Sequence, residues 1–381
     1  MKKKSLSAKK KIHKSLLEHL KNKKINKVFK EFNYNLDFFL KRDTDNLLSK
    51  QTKFAVAVSG GPDSLALVLL SEQYAKENGL KLTALSVDHS LRSDSKGEIK
   101  WIEKLMRRNQ IKFECLKLKG KKPDSNIMAY AREQRYKLLT QYCKRSKIPY
   151  LLTAHHLDDE IENFLMRLIR GSGIKGLSSS RASFKHRKSG VNIVRPLLSF
   201  SKKSLIKYLS LTKQNYVVDP TNKDTRFDRS RIRVLTTKLI SEGLSKSRFS
   251  NVIDNLKKAE SAIESSLSGY GKNLIQIRDK SSLTINIKDF IKIPEEIQFR
   301  LFVKIVEHIS KKKQKPRAKS ISNLMKKIIR RDFKSMTFHG CIFAKEGKEI
   351  IIKLEYGRAN KTKKKQRFDS FTKKGISDLF S

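Results

Sequence analysis

Two short stretches of this chain carry residue types suited to chemistry on a phosphorylated substrate. The first is Ser59-Gly60-Gly61-Pro62-Asp63-Ser64, set between the apolar runs Phe54–Val58 and Leu65–Leu70. Glycines at 60 and 61 can take positive φ and let backbone N–H groups approach an anion closely. Ser59 and Ser64 add hydroxyl donors, and Pro62 suits the first turn of a helix whose N-terminus favours negative charge. Asp63 is an acid among anion donors, so its charge needs compensation, which a Mg²⁺ ion shared with phosphates would give. The spacing is not that of the common P-loop, and no Lys follows the glycines. An ordinary strand-to-helix turn is the competing reading, but the strand–SGGPDS–helix context favours a nucleotide.

The second stretch is His155-His156-Leu157-Asp158-Asp159-Glu160-Ile161-Glu162. Asp159 and Glu162 are three apart, share one helix face and could clamp an amine. Asp158 beside them could hold metal or amine. A solvated acidic face is the alternative. His155 and His156 lack a third ligand at metal spacing, which favours a structural or substrate-orienting role. Asp88 ends an apolar run and reads as a ligand contact at a strand end or a simple strand-end cap. Arg132 and Arg135 read as partners for phosphate or RNA, or as salt-bridging helix residues. Phe164, Tyr216 and Phe227 could stack on a base, but each fits a core as well.

These residues need a scaffold, and the hydrophobic pattern supplies one. Phe54–Val58 is a buried-strand run, followed by a helix near Leu65–Asn78. Further strands are expected in LKLTALSVDH, IKFECLKL, IPYLLTAHH and NIVRPLL. Helices are expected over about 98–108, 127–147, 157–170 (closed by Gly171) and in SKKSLIKYL. This alternation predicts an α/β fold, a parallel sheet with helices on both faces. The glycine turn, Asp88 and the two histidines then all fall at carboxyl ends of strands, where such folds bind ligands. GSGIKGLSSS reads as a mobile loop. A helical region follows, then a small mixed region with strands in LTINI and GKEIIIKLEYG. The expected domains are a basic helical extension over 1–50, a catalytic domain over 51–240, and a helical and mixed RNA-binding region over 241–381. In the extension, Leu16, Leu17, Leu20, Ile25, Val28, Phe29 and Phe32 recur at helical spacing. They suit either a lead-in packed on the first domain or an arm touching RNA.

The composition bears on partners. The chain has 381 residues with 86 Lys+Arg against 37 Asp+Glu, a formal net charge of +49. An AT-rich genome inflates lysine but does not explain the shortage of acids, so a polyanion, nucleic acid, is the expected partner. Cys115, Cys143 and Cys341 are scattered, with neither metal nor disulfide spacing. No apolar run reaches membrane length, and the basic N-terminus lacks the apolar core of a secretory signal. The expectation is a cytoplasmic protein with no membrane partner, and homodimerisation is left open.

SGGPDS resembles the SGGxDS signature of the PP-loop ATP pyrophosphatases. SVDHSLR (86–92) is similar to that class's VDHGLR, with Ser90 in place of glycine, and AREQRY (131–136) is similar to ARxxRY. HHLDDEIENFLMRLIRGSGIKGL resembles the HHxDDxxET…RGSGxxGL stretch of tRNA(Ile)-lysidine synthetases, with Asn163 where threonine is usual. RPLL at Arg195 fits, as does VDPTNKDTRFDRSRIR, where Ser230 replaces an asparagine. The resemblance is dense from Phe54 to Arg233 and weaker beyond.

The resemblance implies a reaction. The wobble cytidine of the CAU anticodon of tRNA(Ile) attacks the α-phosphate of ATP through its C2 oxygen, and pyrophosphate leaves. The ε-amine of free L-lysine then attacks C2 and AMP leaves. On this reading ATP binds Ser59, Gly60, Gly61, Pro62, Asp63, Ser64 and Asp88. Asp63 holds Mg²⁺, Asp159 and Glu162 hold lysine, and Asp63, Asp158 and Arg132 serve the chemical steps. The alternatives are a tRNA sulfur-transfer enzyme of the same class, which would lean on thiols, and a non-catalytic RNA-binding protein.

Overall fold

The computed structural model describes residues 23–41, 52–88, 95–118, 127–178, 181–217, 228–279, 282–310, 312, 314–330 and 332–355. The chain divides into two units, Met1–Asp254 and Asn255–Ser381.

The first unit is built on a six-stranded sheet. Its strands are β1 (Lys53–Ala57), β2 (Lys81–Asp88), β3 (Lys112–Lys117), β4 (Tyr150–Leu152), β5 (Ser183–Lys185) and β6 (Asn192–Val194), in the order β3-β2-β1-β4-β6-β5. All neighbours run parallel except β5, an edge strand antiparallel to β6. The parallel expectation therefore holds for five strands. The sixth is a hairpin return, closed by a turn containing Gly190 at φ +74°.

Burial on both faces explains why these strands are continuous apolar runs. Side chains alternate across the pleat. Phe54 and Val56 of β1 enter one core with Ala84, Leu152 and Val194. Ala55 enters the other with Leu85, Leu151 and Ile193. The first core is covered by α1 (Lys23–Leu40), α2 (Pro62–Asn78), α3 (Ser95–Arg108) and α7 (Lys202–Leu211). The second is covered by α4 (Ile127–Arg145) through Leu139 and Cys143.

In α1 the residues Ile25, Phe29, Phe32, Leu36 and Leu40 form one buried stripe. Asn35 donates to Pro196 O at 3.0 Å, and Tyr74 Oη donates to Asp37 at 2.5 Å. The lead-in reading holds for this helix, while Leu16, Leu17 and Leu20 lie outside the described residues. Phe164 is buried against Phe249 and Tyr216 packs on the first core; Phe227 lies outside the described residues. The predicted loop after Arg170 contains a helical turn, α6 (Ile174–Leu177), secured where Arg167 Nη1 donates to Gly176 O at 2.9 Å. α5 (Leu157–Ile169) and α8 (Asp228–Ser241) complete the elements around the site.

The unit boundary falls inside α9 (Lys246–Leu274). The second unit carries an antiparallel sheet of β7 (Ile275–Asp279), β8 (Ser282–Asn286), β9 (Ser335–Phe338), β10 (Cys341–Glu346) and β11 (Glu349–Leu354), in the order β7-β8-β11-β10-β9. With α10 (Ile287–Lys292), α11 (Glu295–Ser310) and α12 (Ala318–Ile328) it encloses a separate core, where Phe290 stacks on Phe302 at 4.6 Å. The sequence pattern had picked out β8 and β11 but not β7, β9 or β10. β9 and β10 are joined by His339 and Gly340, both at positive φ, the backbone of a tight hairpin.

Candidate nucleotide and amine site

β1 is where the strand order reverses: β2 and β3 lie on one side, β4 and β6 on the other. Connections leaving the carboxyl ends of β1 and β4 diverge and open a crevice there. That crevice is a cleft of about 180 Å³. Its walls include Ser59, Gly61, Asp63 and Ser64 after β1, and Thr153, Ala154, His155 and Asp159 after β4. Arg135 and Tyr136 of α4 close one side.

The loop after β1 is shaped by three local features. Gly60 has φ +81°, and a Cβ there would meet Ile102 Cδ1 at 3.2 Å, so glycine is required. Gly60 O accepts from Val217 N at 3.0 Å. Gly61 is extended (φ −70°) as the N-cap of α2, so the positive φ expected of both glycines belongs to Gly60 alone. Ser64 Oγ accepts from Ser59 N at 3.1 Å and donates to Gly61 O at 3.0 Å. Ser64 thus braces the loop from within, and Ser59 Oγ lies 3.2 Å from it.

Asp63 stands in the first turn of α2. Its Oδ1 is buried with no hydrogen-bond partner, while Oδ2 faces His156 Nε2 at 3.5 Å and Lys202 Nζ at 4.0 Å. An orphaned carboxylate oxygen beside a phosphate loop suits a hard cation shared with phosphates.

His156 caps α5. Its Nδ1 accepts from Asp159 N at 3.4 Å, and Asp159 Oδ2 accepts from His156 N at 3.3 Å, a capping box with histidine in the usual hydroxyl position. This leaves the ring proton on Nε2, between Asp63 and Asp159 (3.6 Å). Burial opposes charging of the ring, yet the Asp63 contact and the charges of Asp159, Asp63 and Asp158 hold its pKa above the ordinary imidazole value. A second proton would go to Nδ1, where it would displace the Asp159 N–H and face Asp158 Oδ2 at 3.9 Å.

The three acids therefore differ in their surroundings. Asp159 lines the cleft. Asp158 accepts from Lys202 N at 2.9 Å and from Lys246 Nζ, and it is not among the cleft-lining residues. Burial works against its ionisation, but Lys246 and the Lys202 N–H outweigh it and set its pKa below the ordinary carboxylate range. Glu162 is buried and accepts from Arg233 Nε at 2.6 Å, while its Oε2 has no partner.

Arg135 lines the cleft, whereas Arg132 is exposed on the same helix, with its Cζ 5.5 Å from the Tyr136 ring centroid. Asp88 is buried at the end of β2, one residue beyond the cleft-lining Val87. His89–Arg92 lie outside the described residues. Lys202, Lys246 and Arg233 were not foreseen: each is one of 86 basic residues, and only the fold brings them to these acids. Cys143 and Cys341 are buried, their pKa pushed up to about 12 chiefly by burial, and Cys115 is half-buried with its pKa also raised chiefly by burial. No helix among the described residues is long and apolar enough to cross a membrane.

Strand order and loop together define the PP-loop class of ATP-using domains, and residues 19–239 match the PP-loop domain family. The tRNA(Ile)-lysidine synthase of Wolbachia pipientis wMel is 35% identical over 312 residues, covering 80% of this chain and 71% of that one. The tRNA(Ile)-lysidine synthase of Rickettsia bellii (strain OSU 85-389) is 34% identical over 319 residues, covering 81% and 70%. This chain belongs to the tRNA(Ile)-lysidine synthase family. Among solved structures, the U34-tRNA thiolase NcsA from Methanococcus maripaludis is similar with a TM-score of 0.52 and 22% identity, covering 61% of this chain and 80% of that one. That likeness is one of fold.

Proposed function

We propose that this chain uses ATP to adenylate the wobble cytidine of a CAU-anticodon tRNA(Ile) and joins L-lysine to C2 of that base, releasing pyrophosphate and then AMP. The observation that carries the reading is the meeting, in one cleft, of a phosphate-binding loop and an open carboxylate, Asp159, which an acceptor amine requires.

The glycine loop, with Asp88 at the next strand end, takes ATP. Backbone N–H groups around Gly60 and Gly61 and the N-terminus of α2 offset the charge of the departing pyrophosphate. Asp63 is the residue to hold Mg²⁺, which neutralises phosphate charge when bound. Arg135 in the cleft wall and Arg132 behind it add positive charge for the phosphates. Attack by the C2 oxygen on the α-phosphate forms the P–O bond and breaks the α–β bridge, turning a poor leaving oxygen into a good one.

Asp159 orients the lysine ammonium and takes a proton as the C–N bond forms. Glu162 assists through its unpartnered Oε2, with Arg233 holding its other oxygen. Asp158 acts on the chemistry by anchoring Lys246 and the start of α7 beside the site. The catalytic domain is residues 51–240, the basic region over 241–381 contributes RNA contacts, and the protein works in the cytoplasm with ATP and tRNA. The test is incubation of the protein with ATP, Mg²⁺, labelled lysine and the CAU-anticodon tRNA, then mass analysis of the nucleosides. Lysidine carrying the label is expected; a digest with label only in free lysine would overturn the reading.

A further inference from the structure

Two residues of α1 hold the segment that leads from β6 into α7. Glu31 and Asn35 are one helical turn apart and so are neighbours on the helix surface, beside the buried Phe32 and Leu36. The half-buried Asn35 amide donates to Pro196 O and to Ser199 Oγ, each at 3.0 Å. Ser199 Oγ donates in turn to Glu31 Oε1 at 2.7 Å. An asparagine amide has two hydrogens to give, and Asn35 spends both on chain 161 and 164 positions away. The apolar stripe of α1 buries the helix without directional preference. Hydrogen bonds are directional, so these fix where the 196–199 segment lies.

The far end of the same segment reaches the cleft. Phe200 O accepts from Leu157 N at 3.0 Å, at the first residue of α5 and next to its cap His156. Lys202, in the first turn of α7, donates its backbone N–H to Asp158 Oδ2 at 2.9 Å, and its Nζ stands 4.0 Å from Asp63 Oδ2. Between the two ends the chain has little slack. Phe200 N donates to Leu197 O at 2.9 Å, and Ser201 Oγ caps α7 by accepting from Ser204 N at 3.2 Å. We propose that Asn35, with Glu31 acting through Ser199, is a positioning residue for the reaction: it sets the start of α7 and, through Lys202, the placement of Asp158 and Asp63. This rests on the reading above that Asp63 serves adenylation.

Asn35→Leu is close in volume, forms helix better and removes both donors. The first readout needs no substrate. The melting-temperature gap caused by Asp158→Asn should be narrower in the Asn35→Leu background than in the wild-type background, because linked residues couple whereas independent ones add. The second is pyrophosphate release with ATP, Mg²⁺ and the CAU-anticodon tRNA, well below the melting temperature. Its kcat should fall about tenfold or more, since a misplacement of about 1 Å at a reacting group can cost a hundredfold, while the KM for tRNA stays unchanged. Additive melting temperatures would overturn the proposal whether or not the enzyme turns over. Coupled melting with full turnover of the folded variant would also overturn it, leaving Asn35 a structural tie. A wild-type protein that releases no pyrophosphate would refute the functional reading instead, and the melting comparison would still decide this one. Should Asn35→Leu melt early, Ser199→Ala, at an exposed site, breaks the same link from the other side and carries the same expectations.

Discussion

Asp63 and His156 face each other at 3.5 Å, Oδ2 to Nε2, and so join the loop leaving β1 to the helix that follows β4. The contact spans the crevice at the reversal of strand order. Two elements far apart in sequence are therefore set in register by one carboxylate and one imidazole.

His156 has two separable duties, capping α5 and positioning Asp63. His156→Asn should keep a cap acceptor and lose the contact with Asp63, whereas His156→Ala should lose both. The alanine variant should be less stable by about 0.5–2 kcal/mol, typical of a lost N-cap, and the asparagine variant close to wild type. Both should adenylate RNA poorly. Thermal melts and pyrophosphate release measure the two effects, and full activity in His156→Asn would refute the positioning role.

Asp63→Asn is nearly isosteric and keeps an oxygen at the same place, but removes the charge proposed to hold Mg²⁺. Pyrophosphate release should fall by about two orders of magnitude or more, the scale of losing an electrostatic catalyst. tRNA binding without ATP should persist. Equal loss of both would mean that Asp63 supports the fold of the site rather than the reaction.

The two loop glycines should respond differently to alanine. Gly60→Ala forces a side chain into the left-handed region and against Ile102, costing about 1–2 kcal/mol for the backbone alone. Gly61→Ala places a Cβ no closer than 3.8 Å to its neighbours, at an ordinary φ, and should fold normally. ATP titration and melting curves of both variants would show this. Equal destabilisation would contradict the assigned loop geometry.

Asp158 should make stability depend on acid. Its folded pKa lies below the unfolded carboxylate value, so its contribution is present above the unfolded pKa and is lost as pH falls through the folded one. The melting-temperature gap between wild type and Asp158→Asn should be widest near neutrality and close below about pH 4. A gap constant down to acid pH would mean that the ion pair with Lys246 is not its source.

A variant with alanine at Cys115, Cys143 and Cys341 should retain lysine transfer, although the two buried sites will cost some stability. The raised thiol pKa values leave little thiolate at neutral pH. Loss of turnover in a folded cysteine-free protein would revive the sulfur-transfer alternative.

Much of this was readable in the chain because the physics is local. Apolar runs such as Phe54–Val58 must lie in a sheet covered on both faces, and a glycine turn before a helix announces an anion site. The side-chain pairings were not readable, because they depend on separation. Arg233 meets Glu162 across 71 positions and Lys246 meets Asp158 across 88, and in so basic a sequence neither lysine nor arginine stands out. Spacing alone made Asp159 and Glu162 equivalent; folding turns one to the cleft and joins the other to Arg233. Short edge elements such as β5 and β9 carry too few residues for alternation to register.

The bond from Val217 N to Gly60 O means that the signature hexapeptide is not self-sufficient. Its curvature is completed by chain arriving more than 150 positions later. Truncations stopping just short of that valine would preserve the hallmark letters yet forfeit a clasp on the loop, so motif content and nucleotide affinity should part company in such fragments.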